Sequence, residues 1–269
     1  MAMSRRQRAR AFRGGQYGVL ILAIVLLAVF ADWGTIRDAF FNLDAASTQF
    51  PEILSTALVN TIIYTALGFA LGLGLGLILA LMKLSSVGPY RWLATIYIEF
   101  FRGIPALLVF IALGYGVPLA FGIRFDIYST AAIALGLVGS AYIAETLRAG
   151  IQAVPPGQIE AARSLGMSQT RTTVTVVIPQ AFRIILPPLT NELILLTKDS
   201  SLIYLLGLVR DEYELAKFGR EGLNATGSLT PILLAGLCYL IITVPLGYLS
   251  RYLERRTGRK VDEGLKVTA

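Results

Sequence analysis

The ionisable side chains that interrupt the apolar runs of this chain come in pairs and clusters. Glu99 and Arg102 are three residues apart, as are Glu145 and Arg148, and on a helix that spacing lets two side chains meet. A third cluster, Lys198-Asp199-Ser200-Ser201, follows Asn191 and Glu192 in one largely apolar stretch. Such groups can form ion pairs, donate hydrogen bonds or recognise a small charged molecule. Catalysis is not among their options. The 269 residues include no histidine, which removes the commonest general base and metal ligand, and no nucleophile–base constellation replaces it. No G-x4-G-K-[ST] loop occurs, and Gly72-Leu73-Gly74-Leu75-Gly76 lacks both the lysine and the preceding strand of a phosphate loop. Cys238 is the single cysteine; it lies in an apolar run, reads as a small core residue and has no partner for an internal disulfide.

The elements that must hold these groups are membrane helices. The chain is 55% hydrophobic and 15% charged, with mean hydropathy +0.66, too apolar for an ordinary soluble domain. A helix needs roughly 20 apolar residues to cross a bilayer. Candidate spans are Tyr17–Ala31, Ile53–Met82, Leu93–Phe121, Ser129–Ala149, Phe182–Leu208 and Leu229–Ser250. Alternation of the β-barrel kind is absent, so the fold class is an all-α integral membrane protein of six transmembrane helices. The tails carry Arg5, Arg6, Arg8, Arg10 and Arg13 at one end and Arg251, Arg255, Arg256, Arg259, Lys260 and Lys266 at the other. The loop after the first span is acidic, with Asp32, Asp38, Asp44 and Glu52 against Arg37. Positive-inside bias places both termini in the cytoplasm and makes the net charge of +7 a topology signal. The first run, uniformly apolar from Val19 to Phe30, reads as a retained peripheral helix; a cleaved signal sequence is the alternative.

Within the second span, Gly68, Gly72 and Gly76 fall on one helix face and would admit a close neighbour. Arg102-Gly103-Ile104-Pro105 should kink the third span and free the Phe101 carbonyl. Glu99 and Arg102 are either an interfacial anchoring pair or a functional one. Glu145 is either a pocket or gate residue or one half of a structural ion pair with Arg148. Pro187-Pro188 should break the fifth span. Its polar groups cannot face lipid and point to an aqueous path. Between the fourth and fifth spans, Pro155-Pro156 stop one helix and pre-set another. Ile159, Ala162 and Leu165 would share one face of that short helix, Gly166 would end it, and Ser168 would cap the next segment.

Several stretches carry a resemblance: Asn60-Thr61, Phe101-Arg102-Gly103-Ile104-Pro105, Ala141-Tyr142-Ile143-Ala144-Glu145, Glu160-Ala161-Ala162-Arg163-Ser164-Leu165-Gly166, Ile178-Pro179-Gln180-Ala181 and Leu196-Thr197-Lys198-Asp199-Ser200-Ser201-Leu202. Together they resemble the permease subunits of bacterial polar amino-acid ABC importers of the histidine/glutamine type, in which Glu160 to Gly166 corresponds to the EAA loop. The resemblance runs from about residue 50 to 250; many such subunits lack the first helix found here. It implies a type I importer fold, a cytoplasmic-membrane location and no cofactor in this chain. ATP and Mg would be bound by two partner ATPases, each receiving one EAA helix. A second permease, identical or similar, would complete the pore, and an extracytoplasmic binding protein would deliver glutamate, glutamine, cystine or a basic amino acid. The division is then a basic tail 1–16, a peripheral helix 17–32, a five-helix core 50–250 with coupling loop 150–180 and external loop 209–228, and a tail 251–269. Glu145, Lys198, Asp199, Ser200 and, less directly, Arg102 are the candidate substrate path. Glu160, Ala161, Ala162 and Gly166 are the candidate ATPase contact. A lone secondary transporter or a membrane enzyme would each leave the short polar helix without a purpose or lack catalytic groups.

Overall fold

The computed structural model describes residues 5–266, with side chains from Phe12 to Thr257; the basic side chains at 5–10 and 259–266 lie outside the described residues. No strand occurs among them. The first helix, α1 (Arg5–Phe30), starts well before the apolar run, because the Arg, Ala and Gln ahead of it are good helix formers. Every side chain from Phe12 to Phe30 is exposed.

Two short helices follow, α2 (Trp33–Phe40) and α3 (Leu43–Ser47). Asp32 and Asn42 cap them by accepting from Thr35 N and Ala45 N, each at 3.0 Å. The membrane helices proper are α4 (Ile53–Leu84), the pair α5 (Gly88–Gly103) and α6 (Ala106–Phe121), α7 (Ile127–Gln152), α9 (Gln169–Leu206) and α11 (Thr230–Lys266), with short α8 (Pro156–Ser164) and α10 (Leu215–Thr226) outside them. Among the described residues five helices are long and apolar enough to cross a membrane, and there are six if the bent pair α5–α6 counts as one span.

That pair corrects one expectation. The third span is not a kinked helix but two helices bent by 101°. Ile104, ahead of Pro105, is extended (φ −104, ψ 145), as clash with the proline ring requires. The fifth span corrects another. Pro187 and Pro188 lie inside α9 without breaking it. Pro187 has no N–H for the Arg183 carbonyl; the Thr257 hydroxyl of α11 shares its hydrogen between that carbonyl, at 3.2 Å, and its own helix's Leu253 carbonyl, at 3.0 Å. The Ser250 hydroxyl donates to the Pro187 carbonyl at 3.3 Å. A substitute donor such as Thr257 lets a helix in a membrane tolerate proline, while the Ser250 bond adds a tie between α9 and α11.

The tightest packing joins α4 to α7. A Cβ at Gly68 would lie 2.4 Å from Leu135 Cβ, and one at Gly76 would lie 2.8 Å from Ile143 Cγ2. Hydrogen at these positions is what allows the approach, and in lipid such van der Waals contact replaces the hydrophobic drive between helices. Leu135, Ile143, Ala144 and Leu147 of α7 are buried, as are Tyr64, Leu79 and Ala80 of α4. Hydroxyls inside this bundle turn back on their own helices: Thr61 donates to Ala57 O, Ser140 to Leu137 O and Thr197 to Leu193 O. Back-bonding of this kind satisfies these three hydroxyls within their own helices, whereas the buried Thr172 hydroxyl near the start of α9 has no partner among the described residues.

Candidate functional site

Two polar regions flank the bundle, and a third lies within it. The first follows α7. Val154 is buried, Pro155 precedes α8, and Gln158 N bonds to Pro155 O at 3.0 Å. Helix α8 ends in a paired motif: Gly166 N bonds to Arg163 O at 3.0 Å and Met167 N to Ala162 O at 3.2 Å. Gly166 has φ +82, a left-handed turn that closes a Schellman cap. Ser168 then caps α9 by accepting from Arg171 N at 3.3 Å. The inward face of α8 is smaller than its spacing suggested. Ala162 is buried and Ile159 half-buried, but Leu165 is 84% exposed. Leu165 sits where the helix unwinds, so the three-residue spacing no longer sets its direction. Glu160 and Ala161 are exposed too. Ala161, Leu165 and the Glu160 carboxylate are thus all exposed, and Glu160 has no partner among the described ion pairs.

The second region is in the bundle. Glu145 accepts from Lys83 Nζ of α4 at 2.5 Å and from Arg148 Nη2 at 2.7 Å, while Arg148 Nη1 donates to Gln152 at 2.5 Å. The expected Glu145–Arg148 pair therefore forms, with Lys83 as a third member. Glu99 and Arg102 do not pair. Glu99 is exposed, and the Arg102 guanidinium lies 5.6 Å from the Tyr142 ring centroid in a cation–π contact. Lys198 is exposed and borders an open groove between α9 and α11 with Asn191, Thr243, Tyr248, Arg251 and Glu254. Asp199 is half-buried; Ser200 is fully buried, its hydroxyl donating to Thr197 O at 2.8 Å. The structure thus joins Glu145 to Lys83 and Arg148 but holds Lys198 and Arg102 on other helices.

The third region is on the opposite side of the bundle from α8. Asn60 Nδ2 donates to Asp211 O at 2.7 Å and Tyr213 O at 3.1 Å. Tyr64 donates to Glu212 O at 2.9 Å, and Leu215 N donates to Thr61 Oγ1 at 3.1 Å. Glu214 is fully buried and caps α10, accepting from Ala216 N at 2.6 Å, Lys217 N at 2.7 Å and Tyr239 of α11 at 2.9 Å. The sequence analysis singles out neither Glu214 nor Lys83. Glutamate is not among the usual N-cap residues, Ser, Thr, Asp and Asn, so the capping role of Glu214 emerges only from the structure.

The bundle thus carries a polar helix at one end, charges held within it, and a tethered loop at the other. Comparison with known proteins gives the family. The family described as binding-protein-dependent transport system inner membrane component matches residues 72–259. The arginine transport system permease protein ArtQ of Bacillus subtilis is 36% identical over 220 residues, 80% of this chain and 97% of that protein. The L-cystine transport system permease protein TcyB of the same organism is 37% identical over 221 residues, 81% and 92% of the two chains. A solved structure, of an amino acid ABC transporter with histidines, superposes with a TM-score of 0.71 at 35% identity, over 79% of this chain and 97% of that one. The chain belongs to the binding-protein-dependent transport inner membrane family, among the permease subunits of amino-acid ABC importers.

Proposed function

We propose that this chain is the pore-forming subunit of an ATP-driven importer that moves a polar amino acid across the inner membrane of a bacterium. Glutamate, glutamine, cystine and basic amino acids are the candidate substrates. The observation that carries the reading is the outward surface of α8, where Glu160 is unpartnered and Ala161 and Leu165 are exposed, on a helix locked by a Schellman turn. A charged and apolar face that the chain does not use itself suits a groove on another protein. That protein is a separate ATPase, one per permease, which binds ATP and Mg; this chain hydrolyses nothing. Glu160 and Ala161 form the contact, with buried Ala162 seating the helix on its own chain and Gly166 ending it. Closure of the ATPase pair moves α8, and the bundle packed against it converts that movement into alternating access.

Two permease subunits, identical or similar, complete the pore, and an extracytoplasmic binding protein delivers substrate. Both termini lie in the cytoplasm, where α8 and the basic ends meet the ATPase side and the anionic leaflet. Glu145, Lys198, Asp199, Ser200 and Arg102 line the route. An acid and several cations on different helices can receive the ammonium and carboxylate of an α-amino acid, and Ser200 joins once the helices around it part. Helix α1 is a retained anchor outside the pore, supported by its fully exposed apolar surface. The test is purification followed by ATP hydrolysis. The chain should bring an ATPase with it, and hydrolysis should rise on addition of the cognate binding protein loaded with one of these amino acids. Purification without an ATPase would defeat the reading. For α1, an intact mass that lacks the first thirty or so residues would refute retention.

A further inference from the structure

The segment between α1 and α4 carries an apolar face that no transport step described above uses. It precedes residues 72–259, which the family model matches. Helix α2 is tied at both ends. At its start, the Trp33 indole donates to Ala28 O at 2.8 Å and so folds α2 over the last turn of α1. At its end, the Ser228 hydroxyl and Leu229 N both donate to Ala39 O, at 2.9 and 2.7 Å, and Asn42 N donates to the Thr230 hydroxyl at 2.9 Å. Thr230 is the first residue of α11. One end of α2 therefore sits where α1 leaves the hydrocarbon, and the other where α11 enters it. A helix about 12 Å long joins two points at the same membrane depth, so its axis runs along the surface.

The side chains agree with that direction. At about 3.6 residues per turn, Trp33, Ile36 and Phe40 fall on one side of α2, and Thr35 and Asp38 fall on the other. Ile36 is half-buried, but Trp33 and Phe40 are exposed, and Phe41 and Leu43 add two more exposed apolar side chains just beyond the helix. Thr35 and Asp38 are exposed as well. We propose that α2 lies flat in the bilayer interface on the side away from α8, with Trp33, Ile36 and Phe40 seated among the lipid headgroups. Continuity favours lipid over a protein partner: the run from Val19 to Phe30 that leads into this face is apolar and exposed throughout. An indole suits the boundary, because its ring is apolar and its N–H polar. Charge does not drive the contact. Asp32, Asp38 and Asp44 outnumber Arg37 here, so apolar burial seats the helix and headgroup charge is immaterial. Through the bonds from 228–230, the seated helix also sets the depth at which α11 begins.

Fluorescence of the full chain in lipid nanodiscs reads this directly, because Trp33 and Trp92 are the two tryptophans. Trp92→Phe leaves Trp33 as the reporter. Phosphatidylcholine brominated near the headgroup should quench it at least about twofold more than the same lipid brominated near the chain ends, and iodide in the buffer should quench it weakly. Adding Trp33→Phe and Phe40→Trp moves the indole along the helix. A flat α2 gives the same depth at both positions; an upright one separates them by about 10 Å. Asp38→Trp, again with Trp33→Phe and Trp92→Phe, puts the indole on the opposite side, where iodide should quench it and bromine should not. Mixing phosphatidylglycerol into the lipid should leave these patterns unchanged. Trp33 open to iodide and untouched by bromine overturns the proposal, as do unequal depths at 33 and 40. An indole shielded from both quenchers means that protein covers the face, and quenching that needs phosphatidylglycerol means that charge seats it; either overturns the proposal too. None of these results bears on whether an ATPase binds α8.

Discussion

The two charged segments outside the bundle, α8 with its cap and the loop that ends in α10, are built in opposite ways. The loop spends its polar groups inside the chain. Glu214 is fully buried with three donors, and Asn60 reaches from α4 to two of the loop's carbonyls. Helix α8 spends its hydrogen bonds locally, on its own cap, and leaves Glu160 and Leu165 outward. A carboxylate that finds donors within its own chain has a structural task; one left outward on a segment that also exposes a leucine is available to another molecule.

Substitutions can break or sharpen that contrast. The largest effect is expected from Gly166→Val. A β-branched residue at φ +82 is strained by about 1–3 kcal/mol, enough to lower the population of the capped helix by a factor of roughly 5–150. Transport and ATPase co-purification should fall by about that factor, and wild-type levels of both would dissolve the contrast from the α8 side. Asn60→Ala attacks the other side. It leaves the Asp211 and Tyr213 carbonyls without their donor, at about 1–3 kcal/mol. Lower thermal stability in detergent and faster proteolysis within 210–226 should follow, with ATPase binding retained. Loss of ATPase binding instead would mean that the two ends are not separable.

Glu145→Gln tests the middle. Weakening its bonds to Lys83 and Arg148 should cost on the order of 1 kcal/mol and reduce substrate-stimulated hydrolysis more than basal hydrolysis. Equal loss of both would make Glu145 a structural ion pair only. The smallest effect on the chain itself should come from Glu160→Gln. Stability of the isolated subunit should stay within about 0.5 kcal/mol, while ATPase retention drops. A clear fall in melting temperature would show that Glu160 has a partner within its own chain.

Legibility in the sequence follows the range of the interaction. Apolar length revealed the membrane helices, and Gly68, Gly72 and Gly76 revealed the face that meets α7. Gly166 and Ser168 were readable because a cap is set by residues within one turn. What escaped depends on partners distant in sequence. Lys83 meets Glu145 across 62 positions, and Asn60 meets Asp211 across 151; spacing along one helix carries no sign of either. It also misled locally. Glu99 and Arg102 have the right interval, yet a tyrosine ring from α7 takes the guanidinium. Two prolines looked like a break in α9 because the hydroxyls that support it there, Thr257 on the freed Arg183 carbonyl and Ser250 on the Pro187 carbonyl, belong to another helix.

Those two donors give α9 an unusual elasticity. A helix held only by its own ladder has uniform bending stiffness, and a proline pair makes a compliant joint in it. Here the restoring force at the joint comes from hydroxyls mounted on α11. Flexing α9 near Pro187 therefore stretches contacts between two rods rather than within one, and the pair behaves as coupled springs. A load applied at the α8 end would be divided between them before it reached Lys198.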